Sequence, residues 1–163
     1  LVKEGNLFKV GYGLYSDQQY DIADLEKIFL KFNNATLCNE SAFSYHDLTD
    51  YIPESYHIAT PNNSHKIKYD YVVQFFLHDK YLKVGREKIK TDYGYIYVFD
   101  KERSLIDLLR HKSNYSKDYF KEVLNSYKNL LSNNLLDRKK VMLYCDKLNV
   151  SKNLRSTLED YVL

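Results

Sequence analysis

At Asp100 the hydrophobic pattern of the chain changes its period. Before it, the clearest signal alternates in twos. Between residues 66 and 78, Ile67, Tyr69, Tyr71, Val73, Phe75 and Leu77 form one alternating set, and Lys66, Lys68, Asp70, Val72, Gln74, Phe76 and His78 form the other. That is the mark of an extended strand with one apolar face. Thirteen residues are long for one strand, so a bend or break is expected within it. After Asp100 the apolar residues recur at three and four. Leu105, Leu108 and Leu109 form one stripe. Tyr119, Phe120, Val123, Leu124, Tyr127, Leu130 and Leu131 form a second, and shorter stripes follow at Val141, Cys145, Leu148 and at Leu154, Leu158, Tyr161, Val162. Asp100, Ser116, Asp137 and Ser151 stand where helix N-caps belong, and Glu102 suits a positive first turn. A change from period two to period 3.6 predicts an α/β (α+β) fold: a mixed lobe with a small sheet, then a helical lobe.

The remaining segments fill in this outline. Tyr95-Ile96-Tyr97-Val98-Phe99 reads as a second strand. Lys80 to Thr91 reads as short extended pieces with a turn at Gly85. Asp21 is placed to cap a helix reaching about Phe32, with Ile22, Leu25, Ile28, Phe29 and Phe32 on one face. A short helix is expected from Asn39 to Leu48, and Pro53 and Pro61 bracket a strand at Tyr56-His57-Ile58-Ala59. Residues 6–16 read as a hairpin turning at Gly11-Tyr12-Gly13. The opening Leu1-Val2-Lys3-Glu4-Gly5 reads as a helix end closed by a glycine, as though helices came before it. The expected division is a hairpin remnant at 1–17, an α/β lobe at 18–100 and a helical lobe at 101–163.

Several function classes lose ground on composition. The net charge is only +2, so any contact with nucleic acid must be local. Two cysteines, Cys38 and Cys145, stand far apart and outside any Cys/His cluster, which favours reduced thiols over a disulfide framework. No apolar run approaches the ~18 residues of a membrane span, and the N-terminus lacks the apolar centre of a signal peptide. The expected compartment is the cytoplasm. Seventeen Tyr residues, with no Trp, supply bulk with a polar tip for a core edge or an interface.

Chemistry needs particular groups at particular spacings. There is no G-x-S-x-G elbow, and Gly11-Tyr12-Gly13 is too short for a phosphate cradle and leads into a strand. No two of His46, His57, His65, His78 and His111 lie four apart around a Glu. The only D/E-x-K match, Asp137-Arg138-Lys139, falls at a helix start. Asp79 and Glu87 lie near the sheet, but Ile89 occupies the position where a metal nuclease needs Lys. We therefore expect no catalytic residue, no metal and no cofactor. Three basic clusters recur: Lys101-Glu102-Arg103, Arg110-His111-Lys112 and Arg138-Lys139-Lys140. They fit solvated helix faces, the reading we favour, or a surface for an acidic partner.

Three segments carry a family resemblance. Leu1-Val2-Lys3-Glu4-Gly5-Asn6-Leu7-Phe8-Lys9-Val10 with Gly13-Leu14-Tyr15 resembles the wing of the winged helix-turn-helix in AbiEi-type antitoxins. Asn39-Glu40-Ser41-Ala42-Phe43-Ser44-Tyr45-His46-Asp47-Leu48 looks like that family's Ser-Ala helix. Tyr97-Val98-Phe99-Asp100-Lys101-Glu102-Arg103-Ser104-Leu105-Ile106-Asp107 is similar to its strand followed by Glu-Arg-Thr-x-Ile-Asp, with Ser104 keeping the hydroxyl of the usual Thr. The resemblance follows the order of elements over nearly the whole chain.

The resemblance implies a non-catalytic antitoxin of a bacterial abortive-infection operon. Such a protein represses its own promoter through the winged helix and counters a nucleotidyltransferase-like toxin without a stable complex. It implies operator DNA as a partner; the lack of a long apolar run separately leads us to expect no membrane partner. Lys9 and Tyr12 would then touch the DNA backbone from the wing, with Lys3 helping from the end of the preceding helix. Ser41, Glu102, Arg103 and Asp107 carry the family motif. Arg103 and Asp107 stand four apart on one helix face, which fits a salt bridge joining the lobes better than a partner surface. Two alternatives remain: a stand-alone winged-helix regulator whose C-terminal lobes sense or dimerise, and a metal-dependent nuclease using Asp79 or Glu87.

Overall fold

The computed structural model describes residues 8–9, 15–16, 19–91 and 94–161. Strands β1 (Phe8–Lys9) and β2 (Tyr15–Ser16) pair antiparallel, with Phe8 opposite Ser16 and Lys9 opposite Tyr15. This is the expected hairpin; its Gly11-Tyr12-Gly13 turn lies outside the described residues. Helix α1 runs over Gln19–Lys31. It starts two residues before Asp21, so Asp21 sits in the first turn and does not precede it. A carboxylate is favourable in either place, which is why the residue alone could not fix the boundary.

Five strands form the main sheet: β3 (Thr36–Leu37), β4 (Tyr56–Pro61), β5 (Val72–Leu77), β6 (Arg86–Thr91) and β7 (Gly94–Phe99). Their spatial order is β5-β4-β3-β7-β6. The pairs β3/β7 and β4/β5 are parallel, while β3/β4 and β6/β7 are antiparallel. On one face Leu37 lies opposite both Ile58 and Val98, and all three are fully buried. Leu25, Ile28 and Phe29 of α1 pack into the same cluster, so the amphipathic stripe of α1 covers this face. The other face carries Ala59 and Phe99, which close against Cys38 and Leu82.

The long alternating run does not form one strand. Only Val72–Leu77 pairs with β4, and residues 66–71 are irregular. The parallel register explains the break. Tyr56 faces Val72 and Pro61 faces Leu77, so after β4 the chain must return along the strand's full length before β5 begins. Residues 62–71 make that return, and their alternation serves the crossing. Ile67 is buried, and Tyr69 and Tyr71 pack beside it on the α1 side. Gln74 ties the crossing down: its Oε1 accepts from the Ile67 N–H at 2.8 Å, and its Nε2 donates to the Thr60 hydroxyl at 2.8 Å and to the His65 carbonyl at 3.2 Å.

Around the sheet lie α2 (Asn39–Tyr45), α3 (Asp79–Leu82), α4 (Lys101–Arg110), α5 (Lys117–Ser132), α6 (Arg138–Lys147) and α7 (Lys152–Tyr161). The caps expected from sequence are formed. Asp100 accepts from the Arg103 N–H, Ser116 from that of Tyr119, Asp137 from that of Lys140 and Ser151 from that of Leu154. Three helices end on a left-handed Asp or Asn, at Asp47, Asn134 and Asn149. After each, paired hydrogen bonds satisfy the last carbonyls, such as Leu48 N–H to Phe43 O at 3.0 Å and Leu135 N–H to Leu130 O at 2.8 Å. The short second helix stops at Tyr45 for this reason, before the expected Leu48.

The change of period at residue 100 is a boundary between element types, and one apolar core spans it. Phe43, Leu48 and Val84 share a cluster with Leu105, Leu108, Val123, Tyr127, Val141 and Leu158. No helix among the described residues is long and apolar enough to cross a membrane.

Candidate functional site

Strand β7 runs directly into α4, and the residues at that join form a densely bonded polar cluster. Asp100 is the hinge. Its N–H donates to the Gly85 carbonyl at 2.7 Å, and its Oδ1 caps α4 at 2.8 Å. Its Oδ2 accepts from the Tyr144 hydroxyl at 2.7 Å and lies 2.9 Å from the Lys140 ammonium. Glu102 continues the cluster. It accepts from the Asp137 N–H at 3.1 Å and pairs with Lys140 at 3.3 Å, so α4 and α6 are clamped through carboxylates. Burial works against the charge on Lys140, but the hydrogen bond to Asp100 and the two carboxylates outweigh it and hold the ammonium above its ordinary range.

Arg103 points from α4 toward the sheet and is 1% exposed. Its Nε donates to Asp107 at 3.0 Å, its Nη1 donates to the Tyr81 and Val84 carbonyls at 2.6 and 2.8 Å, and its guanidinium lies 4.1 Å from the centre of the Phe99 ring. Gly85 makes this approach possible. Its φ is +75°, and a Cβ there would stand 2.5 Å from the Cβ of Arg103. Sequence therefore places the guanidinium twice, by the i,i+4 spacing to Asp107 and by the glycine beneath it.

Next to this join, between β4, β5 and α4, lies a cavity of about 340 Å³. Phe75 and Phe99 give it apolar walls, and Cys38, Asn39, Arg103, Asp107 and His111 give it polar ones. Burial pushes the Cys38 thiol well up and the His111 imidazole down, so both are neutral near pH 7. A protonated thiol is a poor nucleophile. Asn39 is buried in the left-handed region at φ +47°. Nearby, Ser41 has a structural bond: its hydroxyl accepts from the His57 N–H at 2.9 Å and ties α2 to β4. The His57 ring packs on Phe75 and sits 3.6 Å from Glu40, outside hydrogen-bond reach, and burial brings its pKa down to about 4.

The residues singled out from sequence fall into separate places. Glu102, Arg103 and Asp107 meet at the join, and Ser41 stands apart on α2. Lys9 lies on β1, while Lys3 and Tyr12 are outside the described residues. The basic clusters divide. Arg110, Lys112, Arg138 and Lys139 are exposed as a solvated face requires. The same reading fails for Lys101-Glu102-Arg103, where Glu102 and Arg103 are buried and paired, and for Lys140, which is bound by two carboxylates. Asp79 opens α3 and Glu87 sits on β6, beside the carboxylates of Asp100 and Glu102. Among the described residues no three His, Cys, Asp or Glu side chains are grouped to hold a metal ion. Lys140 and Tyr144 were missed as partners of Asp100, because they lie on another helix and no local spacing marks them. Scanned against protein-family models and against curated proteins, the chain matches none.

Proposed function

We propose that this chain acts by binding, as an antitoxin and transcriptional autorepressor of the AbiEi type that counters a nucleotidyltransferase-like toxin. The observation that carries the reading is the order of elements around the motif residues. A small hairpin (β1–β2), a long helix (α1), the Ser-Ala helix (α2), and a strand leading into a Glu-Arg helix (β7–α4) come in that order along the chain, with other elements between them, and this order supports the reading. Within that order the motif charges are spent on architecture. Glu102 holds α6, and Arg103 with Asp107 holds the strand-to-helix join, so a surface that counters a toxin is to be sought on other residues.

The test is growth of cells that express the adjacent gene with and without this chain. Rescue from a toxic neighbour supports the antitoxin reading. A toxic neighbour that the protein leaves unopposed, or a harmless one, overturns it and leaves regulation alone.

A further inference from the structure

The register of the sheet brings exposed cations and aromatic rings to one end of the molecule, where the Glu26 carboxylate also approaches Gly94. This is the end where β3 and β7 begin and where β4 and β6 finish. On β6, Arg86, Lys88 and Lys90 share one face with Tyr97 and Tyr95 of β7, since Lys88 pairs with Tyr97 and Lys90 with Tyr95. Tyr95 is 53% exposed, with the Lys88 ammonium 4.3 Å from its ring centre. Arg86 donates to the carbonyls of Asn33 and Ala35, which links this face to the turn after α1.

Beyond that turn lies a groove of about 740 Å³. Lys31 and Phe32 line one side, and Lys66, Lys68 and Tyr69 line the other. None of the described residues lining it is acidic. Lys66 and Lys68 are exposed on either side of the buried Ile67. Their backbone is held by Gln74, and Tyr69 stacks on Tyr71 at 5.2 Å with 7° between the ring planes. The cations are thus presented on a fixed loop, which lowers the cost of ordering them on a ligand.

We propose that this end of the sheet binds single-stranded nucleic acid. Lys31, Lys66 and Lys68 in the groove, and Lys88 and Lys90 on the opposite face, would neutralise phosphates of a strand passing over this end, and the exposed Tyr95 would receive an unpaired base. The combination selects this ligand. A cationic track alone fits any polyanion, but an exposed ring among the cations matches a base that a duplex keeps stacked away. The inference does not depend on the antitoxin reading, because it uses neither the wing nor the motif residues at the join.

The experiment is fluorescence anisotropy with a labelled decamer of deoxythymidine and with a duplex of the same length, using the full chain. Five phosphate contacts give a slope of log affinity against log salt of about −3.5. Lys66→Glu/Lys68→Glu should weaken single-strand binding at least tenfold and flatten that slope by about 1.4. Tyr95→Ala should weaken it about tenfold. The charge-matched control Arg138→Glu/Lys139→Glu, on the exposed part of α6, should leave it unchanged. Circular dichroism melts confirm that each variant is folded. The proposal is overturned if the control weakens binding as much as the loop variant does, if Tyr95→Ala has no effect, or if the loop variant loses duplex and single strand equally.

Discussion

Removing the Asp107 carboxylate should expose how much the strand-to-helix join contributes to stability. Asp107→Ala leaves the Arg103 guanidinium buried beside Phe99 with two carbonyls and no counter-charge. Breaking a buried pair in this way costs about 3–5 kcal/mol, because the remaining ion stays desolvated. Arg103→Met should cost at least as much: it strands a carboxylate that is 4% exposed and leaves the Tyr81 and Val84 carbonyls without their donor, at about 1–3 kcal/mol each. In the double variant both charges disappear together and only the carbonyls stay unsatisfied. It should therefore be no less stable than Arg103→Met alone, and at least about 2 kcal/mol short of additive. Urea unfolding followed by circular dichroism reads this directly. With a slope near 2 kcal/mol per molar, Asp107→Ala should lower the midpoint by about 2 M. A loss under about 1 kcal/mol, or strictly additive costs, would refute the claim that this pair holds the join.

Three further outcomes follow from the same geometry. Gly85→Ala forces a Cβ into Arg103 at a positive φ, and should lower stability by roughly 2–3 kcal/mol in the same urea assay. Ser41→Ala leaves the His57 N–H without its acceptor and should cost about 1–2 kcal/mol, read as a lower thermal midpoint. The third concerns pH. Burial depresses the His57 pKa to about 4 in the folded chain, so between about 6.5 and 4 the unfolded chain binds the extra proton. Stability should be complete above pH 6.5 and fall as the pH drops toward 4. His57→Gln should flatten that decline, and an unchanged profile would mean that other groups cause it.

Four of the helix starts are legible in the sequence because their structural cause is local. Asp100, Ser116, Asp137 and Ser151 cap helices because a short side chain can reach an N–H three residues on. The Arg103–Asp107 spacing shows on a helix for the same reason. The run at 66–78 breaks as its length implies, but the place of the break is not legible, because alternation reports an extended chain facing a core and an extended crossing satisfies it as well as a strand does. Only the parallel register of β4 and β5 separates the two, and register is not a property of the segment. Tyr144 reaches Asp100 from 44 positions away, so nothing near either residue announces the pair. Likewise Lys66 and Lys90 read as scattered surface charges, because only the path of the 62–71 crossing and the β6–β7 register show which end of the sheet each lies near.

The near-neutral total charge conceals a difference between charges that are paired at one end of the sheet and charges that are exposed at the other. At the end where β3 and β7 finish stand Glu40, Glu87, Asp100, Glu102 and Asp107, several of them buried and already paired. At the opposite end stand Lys31, Lys66, Lys68, Lys88 and Lys90, exposed on strand and loop. Strand β7 touches both, with Tyr95 near its start and Asp100 just past its finish. The two ends must respond differently to a partner. A ligand at the join would have to break hydrogen bonds that hold α4 and α6 in place, at several kcal/mol. A ligand at the basic end displaces only water and counterions. Substitutions at the join should therefore move stability first, and substitutions at the basic end should move binding while the fold stays intact. Variants such as Asp107→Ala and Lys66→Glu/Lys68→Glu would then separate along those two readouts.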